Sequence, residues 1–326
     1  MGPYWIVMAA GALLSFGLYA RRLKQRGLSP ALSLWGLGLG AALAAAGAKA
    51  GYVLLKIWQK GLAPTLAFSY DKLSVVCGAA ALCGGIALTA RIARPRAKAL
   101  SLLDAFAPCG ALLMAFVRAG EYFLDIWGAG KTVLDDGEAW ARPPFFIRKE
   151  YEGGFAEWFS AVCMLSALLA LAIAVVYLLY RGKRQRPSGW VFERVAMLLA
   201  LCQIFCESLR NDCISWGFVR ADQVLCAVVA AALVLRGCLK SRRDMPGWKR
   251  FLPLIVAELC IAVIVGMEFS LDKGMLWLTN KLIRVPQAVD RPHIAHNAEM
   301  SYGIMILCLA VMFWMQGITL RRREQA

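Results

Sequence analysis

The sequence predicts an all-α polytopic membrane protein, and three observations predict it. Apolar residues make up 60% of the 326, only 18% are charged, and the mean hydropathy is +0.58. Several runs approach the roughly 20 apolar residues that carry a helix across a bilayer. Lysine and arginine gather in short segments between those runs, as they do in the cytoplasmic loops of membrane proteins.

Taken in order, the apolar runs place nine spans at about 4–20, 31–55, 73–90, 102–119, 156–180, 195–209, 222–239, 251–270 and 301–319. The first is expected to be a retained helix and not a signal peptide, because its charges follow the apolar stretch and no basic segment precedes it. The second carries Lys49 deep within GAKAGYVL (47–54), and the fourth ends in Arg118 and Glu121. The sixth is the shortest and runs into FCESLR (205–210). Two connections are long enough to be functional, 124–155 and 270–300. Ten of the eleven cysteines fall in the spans, where a thiol behaves as a small apolar group. Cys213 alone falls in a loop, so no disulfide framework is implied.

Orientation follows from the basic residues. RRLKQR (21–26), RIARPRAK (91–98), RGKRQR (181–186), 236–250 and RRR (321–323) all fall on one side when successive spans alternate. The positive-inside rule makes that side cytoplasmic, with the N-terminus outside and the C-terminus inside. The net charge of +16 is mostly this inner belt, which favours anionic lipid and excludes nucleic acid as the partner. Residues 236–250, with Pro246 and Gly247, mark the expected division between 1–240, with outer loop 124–155, and a C-terminal two-helix hairpin, 241–326, with outer loop 270–300.

Charges inside spans are functional candidates, because a buried arginine costs roughly 2.5–3.5 kcal/mol on insertion scales. Asp104 is read as a helix-end charge reaching the interface, Lys49 as a partner in an ion pair or as a second cation, and Arg210 as interfacial or as that second cation. Arg118 and Glu121 are three apart and share a helical face. Guanidinium is a planar, permanently charged fork suited to phosphate. An arginine at head-group depth, flanked by an acid, therefore points to a phospholipid head-group site. Arg118 is expected to face the bundle, within reach of Glu207 or of a cavity continuous with the membrane.

Two other motifs carry little. GAGKT (128–132) echoes a phosphate loop, but the required first glycine falls on Asp125. His293 and His296 have a helical spacing that would suit a metal, yet no cysteine or third histidine accompanies them, so no metal and no cofactor is expected.

The spacing resembles prolipoprotein diacylglyceryl transferase. Asp104, Ala107 and Pro108, then Arg118 and Gly120, look like that family's D-x-x-A-P and R-x-G segment. GAKAGYVL and FCESLR look like two further family segments, and the resemblance covers about residues 4–240 in the family's order. It implies a seven-helix transferase-like bundle, with the last two helices additional. It also implies transfer of a diacylglyceryl group from phosphatidylglycerol to the lipobox cysteine of a preprolipoprotein, in the bacterial cytoplasmic membrane.

By position, the resemblance puts Arg118, Glu121, Asp125 and Glu207 in catalytic roles. Tyr4, Lys49, Gly120, Gly128, Gln203 and Arg210 are implied on the substrate side. Glu121 stands where the family has Asn, and Gln203 where it has a second arginine. The family's histidine falls around Val76, Cys77 and Gly78, where there is none. The other expectation is therefore a paralogue that binds phospholipid or a lipidated partner without this catalysis. A transporter is disfavoured, since no inverted repeats or matching broken helices occur.

Overall fold

The computed structural model describes residues 2–66, 72–92, 98–124, 128–130, 133–134, 143–151, 154, 156–180, 186–216, 219–241, 246–272 and 292–324. They form ten α-helices: α1 (Gly2–Gln25), α2 (Leu32–Lys60), α3 (Leu62–Leu66), α4 (Val75–Leu88), α5 (Ala99–Glu121), α6 (Val162–Leu179), α7 (Trp190–Leu209), α8 (Ala221–Lys240), α9 (Gly247–Asp272) and α10 (Pro292–Glu324). The protein is an all-α polytopic membrane protein, and seven of these helices are long and apolar enough to cross a membrane. Each of the nine expected spans corresponds to a helix, the fifth only from Val162 onward. Of the other two, α4 has only 14 residues, and α7 has 20 but carries Glu193, Arg194, Gln203 and Glu207.

Two compact units form, Met1–Ile214 and Ser215–Ala326. The division falls before α8, whereas the sequence expectation put it after residue 240. Within the second unit, α8 packs on α9 and α10. Gln223 Nε2 donates to Glu268 Oε1 at 2.9 Å, and Arg250 Nε donates to the Cys238 carbonyl at 2.7 Å, satisfying the C-terminal end of α8.

In the first unit α5 is central and packs on α1, α4, α6 and α7. Small residues bring α2 and α4 together: a Cβ on Gly85 would lie 2.8 Å from the Gly40 Cα. Such close backbone approach is the usual way helices associate in lipid. Asp104 departs from its expected role. Its carboxylate is buried and accepts from Gly189 N at 2.6 Å and Phe192 N at 2.9 Å, capping the start of α7 from a neighbouring helix. Four orphan N–H groups at a helix start make that a better partner for a carboxylate than distant water.

This cap sets the register of the site. At the other end of the same helix pair, Arg118 bonds Gln203. The Asp104–Gly189 and Arg118–Gln203 pairs have the same sequence separation of 85 residues. The two helices therefore run parallel and in step between the ties, about 21 Å apart along the axis at 1.5 Å per residue.

The loop expected at 124–155 contains strands. β1 (Val133–Leu134), β2 (Phe146–Glu150) and β3 (Ala156–Ser160) form an antiparallel sheet in the order β1-β3-β2, and a second pair joins β4 (Ser215–Trp216) to β5 (Val219–Arg220). Residues 156–160, expected to open a span, are strand. The aromatic and β-branched residues of FFIRKEY and AEWFS favour a pleated surface. Ile147 and Phe159 are paired in register and buried with Ala129, Ala161 and Cys163. That small core seats the sheet at the start of α6.

Candidate functional site

Arg118 lies in the last turn of α5 and is 2% exposed. Its NH1 donates to Glu121 Oε1 at 2.6 Å, and its NH2 donates to Gln203 Oε1 at 2.9 Å. Gln203 Nε2 in turn donates to Glu207 Oε1 at 2.5 Å, one turn further along α7. The other oxygen of Glu121 accepts from Arg210 NH1 at 3.0 Å. One carboxylate thus bridges two buried guanidiniums. Arg118 Nε is also buried and has no hydrogen-bond partner among the described residues.

Arg210 leaves α7 in an extended conformation and meets Asp212 in a two-point contact, Nε to Oδ1 at 2.9 Å and NH2 to Oδ2 at 2.7 Å. The backbone N–H of Gly128 also donates to Asp212 Oδ2, at 2.9 Å. Burial opposes the charge on Arg210, but Glu121, Asp212 and Glu207 outweigh it and hold its pKa well above the usual value. Burial likewise pushes the Asp212 carboxyl up, but Arg210 and the Gly128 N–H together hold it below the usual carboxylate range. Asp212 therefore contributes stability above the ordinary carboxylate pKa, and that contribution is lost as pH falls through the depressed value.

The segment 128–130 completes this corner. Gly130 N donates to the Ser160 carbonyl at 2.7 Å, Asn211 N to the Ala129 carbonyl at 3.0 Å, and Cys163 N to the Gly128 carbonyl at 2.9 Å. These bonds thread it between β3, the start of α6 and Arg210, so the GAG of GAGKT serves Asp212 and its neighbours. Gly128 has φ +78, and a Cβ there would lie 2.5 Å from the Cys163 Cβ and 3.1 Å from Glu121 Oε2. Gly128→Ala is therefore expected to lower the melting temperature of the purified protein by several degrees. Gly154→Ala is the control, since its φ of +84 is equally strained but nothing lies within 4 Å. The backbone strain common to both is about 1–2 kcal/mol, and the difference between the two melts reads the crowding at the site.

Of the sequence-predicted residues, Arg118, Glu121, Gln203, Glu207, Arg210 and Gly128 converge on one cluster. Tyr4 stands beside it: a Cβ on Gly120 would lie 3.0 Å from the Tyr4 ring. The second cation on Glu121 is Arg210, and Lys49 Nζ lies 5.5 Å from the Tyr52 ring centroid. Asp125 lies outside the described residues, as do the side chains of His293 and His296. Sequence reasoning missed Asp212, Gly130 and Cys163. An acid two residues after Arg210, in RND, was the available signal for the first. None of the eleven cysteines forms a disulfide among the described residues.

The fold and cluster together define a polytopic helical membrane protein with a buried, paired-arginine site at one end of its central helix. The chain belongs to the prolipoprotein diacylglyceryl transferase family: the model of that family matches residues 2–236. Neither curated proteins nor solved structures gave a significant match. Its family function is prolipoprotein diacylglyceryl transferase-like, and α9 and α10 lie beyond the family match.

Proposed function

We propose that this protein transfers the diacylglyceryl group of phosphatidylglycerol to a lipobox cysteine thiol, with the lipid phosphate held at Arg118 and Arg210. The observation that carries the reading is the bridge itself, two buried guanidiniums converging on one carboxylate while Arg118 Nε keeps an unused donor. A phosphate oxygen is an acceptor suited to that donor.

In the reaction an S–C bond forms at the glycerol carbon as its C–O bond to phosphate breaks. The electron pair leaves with glycerol phosphate, whose charge rises, and fixed guanidiniums stabilise that charge as it develops. The acceptor thiol must also lose its proton. Glu121 is not assigned that role, because both of its oxygens are already engaged by guanidiniums. Asp212 is a poor base, with Arg210 and a backbone N–H upon it. The proton is assigned to Glu207, which accepts from the Gln203 amide within the cluster. Tyr4, Gly120 and Gly128 line the approach, and Gln203 orients Arg118 and Glu207.

The setting is the bacterial cytoplasmic membrane, with the site on the outer side and the C-terminus inside. By the extent of the family match, residues 1–240 are the transferase-like region and 241–326 an appended hairpin, although α8 packs with that hairpin in one compact unit. A reporter fused after Arg323 is expected to be cytoplasmic and one inserted near Lys281 to be external; both on one side would remove the hairpin as drawn. The activity is tested by complementing a strain depleted of its own transferase and weighing a model lipoprotein by mass spectrometry. Growth with a diacylglyceryl-modified cysteine supports transfer. Lipid binding by the purified protein without that modification supports the non-catalytic alternative.

A further inference from the structure

We infer that Ser166 is a further head-group contact, donating its hydroxyl to the lipid phosphate alongside Arg118 Nε. This placement rests on the head-group reading above and gives the phosphate an uncharged donor that no charge pattern marks. Ser166 lies on α6 and is buried, 7% exposed. Its level follows from the neighbouring turn. A Cβ on Gly128 would lie 3.2 Å from Cys163 Sγ and 3.1 Å from Glu121 Oε2, so the start of α6 and the end of α5 meet at one height. From there the two packed helices run in opposite directions. Three residues back along α5 is Arg118, and three residues on along α6 is Ser166, each about 4.5 Å deeper at 1.5 Å per residue. Residues three apart keep to one helical face, so Ser166 shares the face that Cys163 turns to the cluster. On α7, the Cys206 thiol stands against Ser166 and within electrostatic reach of Arg118.

Two donors at this level, Arg118 Nε and Ser166 Oγ, are buried and make no well-formed hydrogen bond among the described residues. The thiol beside Ser166 is a weak hydrogen-bonding group. A helical hydroxyl often satisfies itself on a carbonyl of the preceding turn. Thr89 does so on Ile86 at 2.6 Å and Thr319 on Gln316 at 2.8 Å. Ser166 does not, and a buried hydroxyl left in that state costs stability. One acceptor with several lone pairs, seated between α5 and α6, removes both deficits at once. A phosphate group has that character, anionic for the guanidinium and multiply accepting for the hydroxyl.

The test is equilibrium binding of fluorescent phosphatidylglycerol to the full-length protein in nonionic detergent, with a thermal melt of each variant. Fluorescent diacylglycerol, which lacks the phosphate, is the second probe. Ser166→Ala is expected to weaken phosphatidylglycerol binding by roughly tenfold, the usual worth of a hydrogen bond to a charged group. Whatever diacylglycerol binding the parent shows should be unchanged. The melting temperature of the variant should equal or exceed the parent's, because a buried hydroxyl without a good partner has been removed. Ser15→Ala is the control. Ser15 Oγ is likewise buried without a hydrogen bond among the described residues, but it lies eleven residues along α1 from Tyr4, about 16 Å from the level of the site. That variant should bind phosphatidylglycerol as the parent does. Unchanged phosphatidylglycerol binding by Ser166→Ala overturns the inference while the head-group reading stands. An equal loss of diacylglycerol binding, or a melt lowered by several degrees, overturns it too, since either gives the hydroxyl a packing role. A parent that binds no phosphatidylglycerol overturns the head-group reading first and the role of Ser166 with it.

Discussion

Arg118→Lys is expected to lower the transfer rate by roughly 10²–10³-fold while leaving the protein folded in the membrane. The charge survives the substitution, so the burial of Glu121 is still compensated. The fork does not survive. An ammonium on a flexible stem cannot hold Glu121 and Gln203 at 2.6 and 2.9 Å in one plane and still present a third donor where Nε now lies unused. The loss should therefore fall on the chemical step, with the melting temperature close to the parent's. The measurement is transfer of labelled diacylglyceryl from phosphatidylglycerol to a lipobox peptide, alongside a thermal melt. Full activity would reduce Arg118 to an interfacial anchor.

Glu207→Gln should cost about 10²–10⁴-fold near neutral pH, the usual worth of a positioned base. The substitution keeps shape and hydrogen bonding to Gln203 but removes the proton acceptor. A pH profile separates this role from a structural one. In the parent, where Glu207 takes the thiol proton, the rate should not track the acceptor thiol's own ionisation. In the variant it should follow the free acceptor thiol, climbing through about pH 8.5, so the deficit narrows in alkali. A deficit constant with pH would make Glu207 a positioning residue for Gln203 and Arg118.

Much of this was legible in the chain itself. Lipid offers no hydrogen bonds, so a spanning segment must satisfy its own backbone, and a run of apolar residues becomes a helix whatever its neighbours do. Spans and fold class followed from that. Arg118 and Glu121 were also legible as a pair, because helical periodicity puts residues three apart on one face and a charge among apolar residues is costly enough to stand out.

Partners across helices were not legible in the same way. Asp104 has the same composition signal as any helix-end acid, and only packing reveals that it caps α7. Gln203 is an ordinary polar residue until the equal 85-residue steps bring it level with Arg118. Asp212 and Gly128 lie in irregular backbone, where no periodicity reports direction, and their meeting depends on strand pairings far apart in sequence. The sequence by itself determined a membrane-spanning helical bundle, the positions of its buried charges and the family-like spacing of those charges, because each of these is set by local periodicity and by the solvent. Only the tertiary structure decided which charge neutralises which, that Arg210 and not Lys49 shares Glu121, and that an acid occupies the meeting point of the two cations. Those pairings are fixed by the register of neighbouring helices, a long-range packing property that no single segment encodes.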